Sequence, residues 1–269
     1  MRLVLLVAGT TLPLIMFAVG IIFHNYLEDR NNATDRVLQT VRSIRQTLDA
    51  EMQRMTGGLQ VLAMTDTLRN GDFDGFRRIA LGFLDQYAKG GVILVADSDG
   101  QMLFSSLTPD ASPRPMRNNR AIVEQLFLTK RPQYSNLFFG AAKKAQIVTV
   151  EVPVFRDGEV IYDISFTPPL EMFQHILEGQ RPSGAWTLSI PDANGIVFGR
   201  VPNPEDTFGK HVSSSIYPEM QEKSEAVLPT VSLARISQRL GASELRISES
   251  CCAATTFATI QGSPDADRV

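Results

Sequence analysis

Cysteine is nearly absent from this chain. The two present are adjacent, Cys251 and Cys252, which excludes a disulfide framework and a cysteine-rich zinc site. Histidine is scarce as well: His24, His175 and His211 lie far apart and form no H-E-x-x-H or H-x-E pattern. Positive charge is not in excess. Lys and Arg number 26 against 29 Asp and Glu, a net charge of -3, so no nucleic-acid partner is expected. Phosphate-loop and nucleophile-elbow motifs are missing, as is a glycine-rich ATP lid. No catalytic residue, metal site or cofactor is assigned on these grounds. Apolar residues, in contrast, make up 43% of 269 positions, enough for one or two folded domains.

Leu3 to Phe23 carries no charge over 21 residues. As a helix it would span roughly 31 Å, the thickness of a bilayer's hydrocarbon core. With Arg2 as the only charge before it, the N-terminus is expected in the cytoplasm and everything after His24 outside. A cleaved signal peptide is the alternative, with Ala18-Val19-Gly20 as its small-x-small site, but the apolar run continues past it. The expectation is therefore a single-pass inner (plasma) membrane anchor over 1–23, with a periplasmic globular part.

From Asn31 to about Met64 a helical stripe follows. Val41, Leu48, Met55 and Leu62 recur every seven residues, and Val37, Ile44, Met52 and Leu59 form a second row. Such a stripe can be a homodimer seam or can pack on its own domain. The drift between its rows favours the latter for most of its length. A second helix is predicted from about Phe73 to Ala88, with Asp72 as N-cap and Gly90 as stop.

The rest of the chain repeats itself. Gly91–Ala96, the turn Asp97-Ser98-Asp99-Gly100 and Gln101–Ser106 read as a hairpin. Trp186–Pro191, Asp192-Ala193-Asn194-Gly195 and Ile196–Arg200 read as a second one, with Asp and Gly 95 residues further on in both cases. Val148, Val150, Val152 and Val154 alternate with Thr149, Glu151 and Pro153, then turn at Arg156-Asp157-Gly158 into Val160, Tyr162, Ile164 and Phe166. Pro153, lacking a donor, is expected at an edge or bulge. Short helices are predicted over Ala121–Thr129 and from Pro169 to Gly179. The fold class expected is α+β, two tandem sheets with separate cores, the second incomplete.

The anchor, the long helix and the two D-x-[DN]-G hairpins carry a family likeness. So do Asn70-Gly71-Asp72-Phe73, Tyr134-Ser135-Asn136-Leu137-Phe138-Phe139-Gly140, Val152-Pro153-Val154-Phe155-Arg156-Asp157-Gly158 and Phe208-Gly209-Lys210. Over residues 1–233 the chain resembles the N-terminal double Cache (PAS-like) sensor region of bacterial sensor histidine kinases, including those of the HWE type. The resemblance implies a helical stalk and second helix over 24–89, a membrane-distal module over 90–180 and a partial membrane-proximal module over 181–233. It implies a small-molecule ligand, a signal passed through the membrane and a kinase output. A membrane-tethered periplasmic binding protein with a separate partner is the alternative, as is a sensor fragment of a chemoreceptor or diguanylate cyclase. The family pattern continues into more strands, a second membrane helix and a kinase core. Residues 234–269 instead form a Ser-, Ala- and Thr-rich tail, expected to be irregular and not native to the fold, as after a frameshift, or else an ordinary disordered tail.

A pocket in such a module lies between the sheet and the segment covering it. The polar residues expected to reach it are Ser105, Ser106, Arg114, Tyr134, Asn136, Tyr162 and Asp163, with Arg114 able to clamp a carboxylate. Each could equally serve a turn, a cap or the surface. The aromatic-arginine pattern Tyr-x-x-x-x-Arg-x-Trp-Tyr of amino-acid-binding double Cache domains does not occur, which argues against an amino acid ligand.

Overall fold

A computed structural model describes residues 2–108, 113–180, 187–214, 216–222, 227–229 and 254–256, with side chains in the first helix described at Met16–Ile21, Phe23, His24 and from Leu38 onward. Helix α1, Arg2–Ala63, runs 62 residues and joins the expected anchor and stalk in one element. Both rows of its stripe are buried from Val41 on: Ile44, Leu48, Met52, Met55, Leu59 and Leu62 all enter the main apolar cluster of the domain. The stripe therefore packs on its own chain over this length. Gly57 and Gly58 do not interrupt the helix. Gly58 lets the Phe83 ring approach so closely that a Cβ there would sit 2.8 Å from it.

After a short helix α2, Asp66–Arg69, helix α3 spans Phe73–Tyr87. The Asp72 side chain accepts from the Gly75 amide at 2.9 Å, an N-cap that satisfies one of the first turn's free donors. Gly90 beyond its end takes a φ of +82, which glycine adopts without strain.

Strands β1 (Val92–Ala96) and β2 (Met102–Ser105) form the first hairpin. Helix α4, Arg120–Thr129, follows, then the short strands β3 (Gln133–Tyr134), β4 (Phe138–Gly140) and β5 (Ala145–Ile147). The long strands β6 (Val150–Arg156) and β7 (Glu159–Thr167) complete a five-stranded sheet of order β2-β1-β7-β6-β3, antiparallel throughout. Pro153 pairs with Asp163 on β7, beyond the end of β3, so its missing donor faces no neighbouring strand. The bulge in this hairpin falls just past it, between Val154 and Phe155.

Helix α5, Glu171–Gly179, leads to the second hairpin, β8 (Leu188–Pro191) and β9 (Val197–Val201). Trp186 lies outside the described residues. A 3-10 turn at Pro204–Asp206 and helix α6, Tyr217–Glu222, follow. Of the expected tail only Ala254–Thr256 is described: it forms β11 and pairs antiparallel with β10, Val227–Pro229.

The two hairpins belong to separate sheets, yet the expectation of separate cores is not met. One buried cluster runs from Ile93, Val152 and Ile164 along α1 and through Phe173 and Leu177 of α5 to Ile190 and Phe198. The reason is a shared chain of packing: α1 packs on β6 and β7 and on α5, and α5 packs on β8 and β9, with the edge-on Phe173–Phe198 contact at 5.1 Å tying α5 to β9.

Candidate ligand site

Alternation along a strand gives each sheet two faces. On the five-stranded sheet Ile93, Val95, Val150, Val152, Val154, Ile164 and Phe166 face α1 and its cluster. The opposite face carries Thr149, Glu151, Asp163, Ser165 and Thr167, and none of these is more than 2% exposed. A polar face this deeply buried must be covered. The cover is the β4–β5 hairpin, whose Ala141 and Ala142 pack on Val92, Leu94 and Met102. The Asn118 amide fixes it from the side by donating to the Phe139 carbonyl at 2.9 Å.

Arg117 lies between cover and sheet, 4% exposed. Its amide donates to the Gly100 carbonyl at 2.8 Å, which anchors the backbone to the first hairpin turn. Its guanidinium grips Glu151 with both terminal nitrogens, Nη1 to Oε2 at 2.8 Å and Nη2 to Oε1, and Nη1 also donates to Asp163 Oδ2 at 2.8 Å. Thr149 Oγ1 donates to Glu151 Oε1 at 2.6 Å. One cation thus serves two carboxylates. Burial acts to lower the Arg117 pKa, but Glu151 and Asp163 outweigh it and hold the guanidinium charged. Burial first, and then the neighbouring Glu151, push the Asp163 carboxyl well above the usual carboxylate range, against the pull of Arg117.

Two polar atoms of this face have no hydrogen-bond partner among the described residues: Asp163 Oδ1 and Ser165 Oγ. Leaving a buried polar atom unpaired costs about 1–3 kcal/mol, and the protonated Asp163 carboxyl recovers part of this through a hydrogen bond to Glu151. Between sheet and cover a cavity of about 10 Å³ is lined by Val92, Leu94, Arg117, Thr149, Thr167 and the cover residues Phe138, Gly140 and Lys143; Asp163 and Ser165 are not among its lining residues. That is room for about one water as the cover stands. A larger ligand needs the β4–β5 hairpin to move outward. Among the described residues no group of three or more His, Cys, Asp or Glu could hold a metal ion.

The residues expected from sequence do not all meet here. Asp163 is at the centre of the site. Ser105 points to the same side of the sheet as Leu94, its register partner, but its Oγ accepts from the amides of Leu107 and Thr108 and closes the end of β2. Ser106 Oγ accepts from the Ile93 amide at 2.9 Å. Tyr162, one residue from Asp163, faces the other way and packs on Phe73 at 5.7 Å. Tyr134 shares a hydrogen bond of 2.9 Å with Thr56 of α1. Arg114 is half-buried and gives its carbonyl to Gln101 Nε2 at 2.9 Å. Asn136 Oδ1 accepts from the Ala193 amide, and Asp192 Oδ2 accepts from the Leu137 amide at 2.9 Å, so this segment ties the base of the cover to the second hairpin turn.

Arg117, Glu151 and Ser165 were not anticipated. Their signal was faint but present: the polar half of β6 and β7, Thr149-x-Glu151 and Asp163-x-Ser165-x-Thr167, reads as a solvent face until a cover is known.

No family model matches the chain, and no curated protein matches it. Solved structures do. An extracellular ligand-binding receptor from Desulfohalobium retbaense is 18% identical over 71% of this chain and 35% of its own, with a TM-score of 0.52. This chain therefore spans about a third of that receptor. The ligand-binding domain of the Pseudomonas aeruginosa amino acid chemoreceptor PctC, in complex with GABA, is 20% identical over 70% of this chain and 82% of its own, TM-score 0.50. The extracellular domain of mmHK1S-Z2, assigned as a histidine kinase, is 12% identical over 72% and 87%, TM-score 0.52. The chain has the mixed helix and sheet fold of extracellular sensory domains of chemoreceptors and histidine kinases.

Proposed function

We propose that this chain is the extracytoplasmic small-molecule sensing module of a membrane-bound histidine kinase of the HWE type. The covered face of the five-stranded sheet is its ligand site. The observation that carries this reading is a fully buried polar face on which Asp163 Oδ1 and Ser165 Oγ lack partners. In this reading residues 1–23 anchor the chain, 24–89 form the stalk and second helix, 90–180 the distal module and 181–233 the proximal one.

Among the described residues no helix is long and apolar enough to cross a membrane. Most side chains of the span Leu3–Phe23 lie outside the described residues. Support for an anchor comes from those that are described: Met16 and Phe17 are 71% and 70% exposed, a state that water disfavours and lipid does not.

The test is a thermal-shift and calorimetric screen of the full chain in detergent against small amines, acids and amino acids. Ligand at 100 times its Kd should stabilise by about 2.7 kcal/mol. Binding should vanish in Ser165→Val, which fills the face without opening a cavity. A ligand that binds Ser165→Val and the wild type equally would refute this site.

A further inference from the structure

The cavity under the β4–β5 hairpin has a one-sided lining. Two cations, Arg117 and Lys143, border it, and among the described residues no acidic side chain does. We propose that this cavity takes a small aliphatic monocarboxylate without an amino group, and that Lys143 is the residue that selects for its charge. This rests on the reading of the covered face as a ligand site.

The argument is one of charge and donors. Arg117 is already matched: Glu151 engages both of its terminal nitrogens, and Asp163 Oδ2 accepts from Nη1 as well. Lys143 is not matched. It is half-buried, and its ammonium has no ion pair or hydrogen bond among the described residues. That leaves three N–H donors and a full charge at the edge of the cavity. With Asp163 held in its protonated form chiefly by burial, Arg117 and Glu151 cancel, and the surroundings of the cavity are one negative charge short. A cation partly removed from water gains more from an adjacent anion than an exposed one does. Much of the remaining wall is apolar: Val92, Leu94, Met102 and Ile147 border the same space. They suit a short hydrocarbon tail. An amino group would meet two cations and no carboxylate, so amines and zwitterions are turned away. A carboxylate needs more room than the present cavity of about 10 Å³. The cover meets the sheet through Ala141 and Ala142, whose small side chains give up little contact when the hairpin lifts.

The experiment titrates propionate, propylamine and β-alanine calorimetrically into the full chain and into Lys143→Met, Lys143→Arg and Lys144→Met. Propionate should bind the wild type about 10-fold or more tightly than either other probe, and Lys143→Met should weaken it by about the same factor. Lys143→Arg keeps the charge and should stay within about 3-fold of the wild type. So should Lys144→Met, whose side chain is exposed one position further on. If propylamine or β-alanine binds as tightly as propionate, the assignment fails, and the ligand-site reading is left to the Ser165→Val comparison. The assignment also fails if Lys143→Met keeps wild-type affinity, or if Lys144→Met loses as much. If the variants do not fold, the wild-type ranking of the three probes decides alone. If propionate does not bind the wild type at saturating concentration, the assignment is overturned, while a Ser165→Val-sensitive ligand of another class would keep the covered face as the site.

Discussion

The two hairpins of this chain are copies in their turns and strangers in their surroundings. At an offset of 95 residues every local feature recurs. Asp97 Oδ1 accepts from the amides of Asp99 and Gln101, and Asp192 Oδ1 from those of Asn194 and Ile196. Gly100 and Gly195 both take positive φ, +80 and +76. The strand irregularity falls between Val95 and Ala96 in one and between Ile190 and Pro191 in the other. Even the return of the chain matches: Gln101 bridges to Met116 and Ile196 to His211, while the Arg117 and Val212 amides donate to the Gly100 and Gly195 carbonyls, each at 2.8 Å. The next atom outward breaks the likeness. Where the first copy extends the buried Arg117 guanidinium, the second has the aliphatic Val212. Backbone geometry was preserved in duplicate, and the charged network exists in one copy only.

The largest break in that comparison should come from Arg117→Met. It strands Glu151 and Asp163 without a cation, and losing one partner of a buried ionic network costs about 3–5 kcal/mol. Val212→Ala, at the matching position, should cost under about 1.5 kcal/mol. Urea denaturation of both variants measures the gap, and equal losses would mean the network adds nothing to the first module.

Asp163 gives a pH signature that the second module lacks. Its folded pKa is raised, chiefly by burial. The folded state therefore holds this proton more tightly than the unfolded chain does. The resulting stability is present at acid pH and is lost as pH rises from the ordinary carboxylate range through the folded pKa, with a slope of at most about 1.4 kcal/mol per pH unit. Asp163→Asn should flatten that part of the stability curve. A wild-type curve that rises over the same window would reverse the assignment.

The turn glycines should differ as well. A Cβ at Gly100 would meet nothing nearer than 3.6 Å, whereas one at Gly195 would lie 2.7 Å from the Tyr217 ring and 2.9 Å from His211. Gly100→Ala should cost about 1 kcal/mol for its left-handed backbone, and Gly195→Ala at least about 1 kcal/mol more for the overlap. Equal melting temperatures would show that Tyr217 and His211 yield freely.

The smallest difference concerns the turn aspartates. Asp192 Oδ2 holds the Leu137 amide in addition to its own turn. Asp192→Ala should therefore exceed Asp97→Ala by about 1 kcal/mol, one hydrogen bond's worth. It should also speed hydrogen exchange at Leu137, which Asp97→Ala would leave untouched.

Turns, caps and stripes were legible from the chain alone. Asp72 and Gly90 bracket α3, the two D-x-[DN]-G turns close their hairpins, and both rows of the α1 stripe are buried from Val41 to Leu62. All are decided within a few residues by hydrogen bonds to neighbouring backbone or by helical spacing. The short strands β3, β4 and β5 escaped notice because two or three residues show no period. Tyr162 and Asp163 were both expected at the site, although adjacent strand residues point to opposite faces.

By itself, then, the sequence determined the local frame: where helices start, where strands turn and which stripe of α1 is apolar. Only the tertiary structure decided that the polar half of β6 and β7 faces a cover instead of water, and that Arg117 sits beside Glu151, 34 residues away, and Asp163, 46 residues away. The physical reason is that alternation records polarity and not what lies opposite. A polar row reads alike in solvent and under a lid, and its meaning changes once burial removes the water that would have paired it.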